Sequence, residues 1–97
     1  MSDADTVAVQ IMVGEIGACR GTGSLYAQAH VVLGIRGVDV QLCGVQVRRS
    51  PDGRLRVQAP QYKHWRSGIW LPAVLLDPDI TSAIADEVFA AMRETAA

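Results

Sequence analysis

The residues with chemical reach in this chain are basic side chains set among aromatic ones. Arg48, Arg49, Arg54 and Arg56 bracket the turn Ser50-Pro51-Asp52-Gly53 and are four of the chain's nine Lys and Arg residues. A few residues on, Lys63, His64 and Arg66 surround Trp65, with Tyr62 beside them. Cationic groups gathered in this way contact phosphates, and an exposed aromatic ring stacks on an unpaired base. Arg54 and Arg56 also alternate with Leu55 and Val57, as on any strand with one solvated face. Two readings therefore stand side by side: a phosphate-contacting surface, or a scaffold whose polar face meets water.

Other chemistries find less support. Cys19, His30, Cys43 and His64 lack metal-ligand spacing, so no metal is expected. His30 reads as an exposed polar-face residue, and Cys43 as a small buried hydrophobe. Gly21-Thr22-Gly23 begins like a dinucleotide-binding loop, but Tyr26 stands where the third glycine belongs and a strand follows. No Gly-x-Ser-x-Gly elbow is present, and the pair Asp77 and Asp79 is better explained by helix capping. The reading is of a non-enzyme without cofactors.

Composition narrows the class. Ninety-seven residues make one domain spanning 1–97, with a modest core that hides about 60–70% of the unfolded chain's surface. Hydrophobic residues make up 49%, mostly aliphatic, with nine glycines, which favours strands and turns over disorder. Net charge is −1, against bulk coating of nucleic acid. Positions 36–66 nevertheless hold seven basic residues against Asp39 and Asp52, while five acids and one Arg follow from Asp77 onward. The apolar run 69–76 contains Pro72 and is too short to span a bilayer, and the N-terminus has no leader pattern, so a cytoplasmic protein is expected.

The elements that must position these residues follow from periodicity. Residues 1–5 are polar and expected to be disordered. Val7, Val9, Ile11 and Val13 alternate as a strand, with a bulge near Gly14 and Gly17. A turn at 20–24 leads to a second strand with Leu25, Ala27, Ala29, Val31 and Leu33 on one face. After a turn at 34–37, Val38, Val40 and Leu42 run in phase, and Val45 and Val47 fall one position out. One extra residue near Cys43-Gly44 restores the phase, which predicts a second bulge. The Ser50–Gly53 turn then returns the chain through Leu55 and Val57. Ile80, Ile84, Val88, Phe89 and Met92 recur at helical spacing, predicting a helix over about 81–95 capped by Thr81 or Asp79. The stretch 60–79 between them reads as an irregular loop with an extended piece at 69–71. The fold class is α+β: an antiparallel meander of four or five strands covered by one C-terminal helix.

From the third strand onward the order of motifs resembles the bacterial septation and sporulation protein SpoVG family. The matching residues are 38–47, Pro51-Asp52-Gly53, the strand Leu55-Arg56-Val57-Gln58-Ala59-Pro60, the basic loop 63–66 and the step Asp77-Pro78-Asp79-Ile80-Thr81-Ser82 into the helix. The chain departs from the family in having Asp77-Pro78 where members have His-Pro, and in carrying Trp65 and Trp70. The resemblance implies a homodimer that binds DNA or RNA with low sequence specificity in a regulatory role. It places the contacts on Lys63 and Arg66, with His64 close by and Arg48, Arg49, Arg54 and Arg56 as a supporting rim. Trp70 and Leu71, with Trp65, are candidates for the dimer interface. The alternative function is a protein-interaction module in which the Trp-rich segment 61–76 docks a partner chain without nucleic acid.

Overall fold

The computed structural model describes residues 8–19 and 23–96, so the expectations for 1–5, for Val7 at the start of the first strand and for most of the 20–24 turn lie outside the described residues. Seven elements follow in order: β1 (Val9–Ala18), β2 (Leu25–Ile35), β3 (Val38–Arg49), β4 (Leu55–Gln58), β5 (Gln61–Lys63), β6 (Trp70–Pro72) and α1 (Pro78–Ala96). β1 to β4 form one antiparallel sheet in sequence order, and β5 pairs with β6 in a separate two-stranded sheet. The architecture is the α+β meander with a C-terminal helix.

Alternation on β2 and β3 builds the core. Ala27, Ala29, Val31 and Leu33 point the same way as Leu42, Val45 and Val47, and all seven are buried. Ile84 and Val88, one helical turn apart on α1, close over them, with Ile80, Phe89 and Met92 packed around the rim. Each buried Val, Leu or Ile among them contributes about 1.5–3 kcal/mol of apolar burial, and each alanine less. The helix leans on β1 at one side and β4 at the other, so it spans the sheet.

Both expected bulges are present, and they line up. Between β1 and β2, Val13 faces Val31 and Ile16 faces Ala29, which sets Gly14 and Glu15 against His30. Between β2 and β3, Ala29 faces Val45 and Val31 faces Leu42, which sets Cys43 and Gly44 against the same His30. Gly44 takes φ 84°, the left-handed conformation that glycine adopts without a Cβ clash.

The structure corrects several expectations. Cys43 is exposed, because the extra residue that returns Leu42 and Val45 to the core turns its own side chain away from it. The helix begins at Pro78, three residues earlier than periodicity indicated. The capping residue is Asp77, whose carbonyl accepts the Thr81 N–H at 2.9 Å, with proline at the first helical position where its missing N–H costs nothing. The 34–37 turn shrinks to Arg36 and Gly37, both at positive φ, as a two-residue hairpin loop requires. The stretch 60–79 is no irregular loop: much of it is a second hairpin.

Candidate nucleic-acid interface

The basic residues fall into two groups, one at the β3–β4 end of the sheet and one on the β5–β6 arm. The first group rests on the Ser50–Gly53 turn. Gly53 N–H donates to the Ser50 carbonyl at 2.8 Å and Ser50 N–H to the Arg54 carbonyl at 2.7 Å, which fixes the β3–β4 register. In that register Arg48 lies directly across from Arg56 and Gln46 across from Gln58, all on the face away from α1. Gln28 on β2 faces Gln46 in turn, so a row of three glutamines crosses β2, β3 and β4. Gln46 is buried, and its Oε1 accepts from Arg48 Nε at 2.8 Å. Arg48 also donates through NH1 to Ser24 Oγ at 2.7 Å, so its guanidinium is held by hydrogen bonds and not by a carboxylate.

Arg49 and Arg54 have other partners. The Arg49 guanidinium carbon sits 5.1 Å from the centroid of the Tyr26 ring, a cation–π contact beside an open groove lined by Cys19, Ser24, Leu25 and Tyr26. Arg54 Nε lies 3.7 Å from Asp52 Oδ2, with both side chains well exposed, so this ion pair adds little to stability. Among the described residues it is the only ion pair, leaving Arg48, Arg49 and Arg56 without carboxylate partners. Ser24, Tyr26 and Gln46 belong to this group although sequence reasoning passed over them. The signal was present in the polar phase of β2 and β3, where Tyr26, Gln28 and Gln46 alternate with the core.

The second group rides on the arm. At its root the Ala73 N–H donates to the Pro60 carbonyl at 2.7 Å, and Gln61 Nε2 to Gln58 Oε1 at 3.4 Å. Along it Lys63 faces Trp70, and Tyr62 faces Leu71. At the tip the His64 N–H donates to the Ile69 carbonyl and the Gly68 N–H to the His64 carbonyl. His64 Nδ1 accepts from the backbone N–H groups of Arg66 and Ser67 at 3.2 and 3.3 Å, which puts the ring proton on Nε2. His64 therefore acts as a local clasp that shapes the tip. Above it the Arg66 guanidinium lies 4.6 Å from the Trp65 ring centroid, and His64 stacks beside Trp65 at 6.1 Å and 19°.

The arm is open to solvent. Trp65 is 79% exposed and Trp70 60%, with Tyr62 and Ile69 also exposed and Leu71 half-buried. Trp70 thus takes no part in the core. No hydrogen bond, ion pair or ring contact links Lys63, His64 or Arg66 to the hairpin arginines among the described residues. The two groups are separate surfaces, each with its own aromatic residue: Tyr26 under Arg49, and Trp65 under Arg66.

Among the described residues no three His, Cys, Asp or Glu side chains converge as a metal site, and no helix is long and apolar enough to cross a membrane. No family model matches the chain, and no curated protein or solved structure matches it either.

Proposed function

We propose that the protein is a non-catalytic regulator that binds DNA or RNA with low sequence specificity and works as a homodimer. One observation carries the reading: Arg48 and Arg56 face each other across β3 and β4 with no carboxylate partner among the described residues. The Arg48 guanidinium is turned toward Gln46 and Ser24, so the two arginines make a broad cationic patch, and a phosphate that reaches either guanidinium gains charge-assisted hydrogen bonds with no carboxylate competing. Arg49 on Tyr26 adds a third cation at the same end of the sheet, and Lys63 and Arg66 with Trp65 supply a single-strand grip of cations and a stacking ring. The resemblance to the SpoVG family points the same way. An exposed Cys43 thiol and no disulfide among the described residues suit a reducing compartment, so we place the protein in the cytoplasm.

The test is a mobility-shift titration with random-sequence single- and double-stranded DNA and RNA at low salt. Binding at micromolar protein supports the reading. Affinity weaker than about millimolar for every probe, below ordinary non-specific binding, overturns it.

A second reading draws on the arm alone. Trp65, Trp70, Ile69 and Tyr62 expose more apolar surface on one hairpin than isolated surface residues account for. In that reading the segment 61–76 docks a partner protein. Trp70→Ala then abolishes partner capture while charge reversal at Arg48 and Arg56 leaves it intact, and the reverse result favours nucleic acid.

A further inference from the structure

β3 has twelve residues, but β4 covers only four of them. The β3–β4 ladder runs from Gln46 to Arg49, and on that outer side nothing among the described residues hydrogen-bonds to the backbone of 38–45. Alternate N–H and C=O groups along this stretch are turned outward without a partner strand, the arrangement that templates pairing with another chain. Its side chains are apolar where that matters. Val38 and Val40 lie on the helix-side face, opposite Ile35 and Leu33, yet they are 61% and 40% exposed. Leu42, next on that face, is buried and shares a small cavity with Leu76, and Leu75 beside it is 87% exposed.

The other free edge is guarded. The outer side of β1 is broken by the bulge at Gly14 and Glu15, which places a charge on it, and Val9, Ile11 and Val13 are already packed on the core. Bulges and charges are how sheets blunt an edge. The regular part of β3, 38–42, has neither bulge nor charge on its apolar face, its one acid Asp39 lying on the other.

We infer that the homodimer forms by antiparallel pairing of β3 with β3 of a second copy, giving one continuous eight-stranded sheet across a two-fold axis near Val40 and Gln41. The inference rests on the homodimer reading above and names its seam. A second copy fits because the edge is self-complementary. With the axis at Val40, the residue meets its own twin, Val38 meets Leu42 and Asp39 meets Gln41. With the axis at Gln41, Val40 meets Leu42 and Asp39 meets Cys43. Neither register sets two acids against each other, and both cover the exposed valines. The seam leaves the arginines of the β3–β4 turn and the arm outside it, because they lie beyond the paired stretch. It also shifts the interface from Trp65, Trp70 and Leu71 to the sheet edge.

The test uses the full chain. Sedimentation equilibrium gives the dimer dissociation constant for the wild type and for Val40→Lys, whose side chain faces solvent in the monomer and a twin or near twin in the dimer. The expected outcome is a dissociation constant raised by about tenfold or more, since the change sets two lysines against each other with the axis at Val40 and a lysine against apolar Leu42 with the axis at Gln41, with an unchanged circular dichroism spectrum. In a Cys19→Ser, Cys43→Ser background, Asp39→Cys, Val40→Cys and Gln41→Cys are oxidised one at a time. The residue on the axis has its Cα about 4.5–5.5 Å from its twin, within disulfide range, and each step away adds about 7 Å, so linkage peaks at Val40 or Gln41. A dimer that ignores Val40→Lys and links through Trp70→Cys instead overturns the seam and leaves the homodimer standing. A wild-type monomer at several hundred micromolar overturns both. Nucleic-acid binding is read separately and is decided by neither result.

Discussion

Replacing Arg48 and Arg56 together by glutamine gives the sharpest test of the proposed phosphate surface. Of the candidate phosphate contacts, Arg48, Arg49, Arg56, Lys63 and Arg66 lack a carboxylate partner among the described residues, whereas Arg54 is already paired with Asp52. If all five reach phosphates, the logarithm of affinity falls with the logarithm of salt concentration with a slope of about −3.5 for a single strand and about −4.5 for duplex DNA. Raising salt from ~50 to ~200 mM then costs roughly a hundredfold on a single strand. The double substitution removes two contacts and brings the single-strand slope to about −2. Arg54→Gln, by contrast, leaves the slope nearly unchanged, because its charge is compensated within the hairpin. The assay is fluorescence anisotropy of a labelled random oligonucleotide titrated at four or five salt concentrations. A wild-type slope shallower than about −1, or a double variant that keeps the wild-type slope with its fold intact, refutes the assignment. So does an Arg54→Gln effect as large as that of Arg48→Gln.

The remaining predictions address the arm, the core and the bulge. Trp65→Ala should cost about 1–3 kcal/mol of single-strand affinity if the ring stacks on a base, with duplex binding much less affected; equal losses on both would argue against stacking. His64→Ala deprives the Arg66 and Ser67 N–H groups of their acceptor, so their hydrogen exchange should accelerate while β2 amides stay protected. Val88→Ala, at a fully buried position over β2 and β3, should lower stability in urea melts by about 2–3 kcal/mol from lost burial plus a cavity. Gly44→Ala should cost about 1 kcal/mol or more for its positive φ although no atom stands within 4 Å of the new Cβ; an unchanged midpoint would show that the bulge relaxes.

Much of the sheet was legible because alternation and phase errors are local signals. The step from Leu42 to Val45 announced the β3 bulge, and Pro51, Asp52 and Gly53 announced the turn. The helix was found, but its start was misjudged because Asp77-Pro78 acts through backbone geometry, before the apolar period begins at Ile80. Cys43 reads as buried because small apolar residues usually are, and at the bulge the backbone overrules that tendency. The segment 60–79 resisted most. Three-residue strands such as Gln61–Lys63 carry almost no periodicity, and their pairing with Trp70–Pro72 depends on the turn that His64 clasps. The basic residues were identifiable by type, but their division into two surfaces was not. It arises from the arm leaving the sheet at Pro60. The short reach of β4 along β3 was equally hidden, since β3's apolar alternation continues on both sides of its bulge, from Val38 to Leu42 and again at Val45 and Val47.

The two bulges that meet at His30 have a genetic consequence. In β1 and β3 the apolar phase changes at that one line, so the sequences on either side are written in two different reading frames of inside and outside. Removing Cys43 alone would straighten the ladder against β2 and leave Val40, Leu42, Val45 and Val47 in one unbroken alternation on the core face. Adding one residue beside His30 would also erase both bulges, in a single event, but would invert one half of the sheet, including Val31 and Leu33. That insertion is not repaired by substitution at a single site. Insertions in β2 should therefore accumulate at the strand connections and spare the crease, whereas one bulge residue of β1 or β3 can be lost with the core face intact.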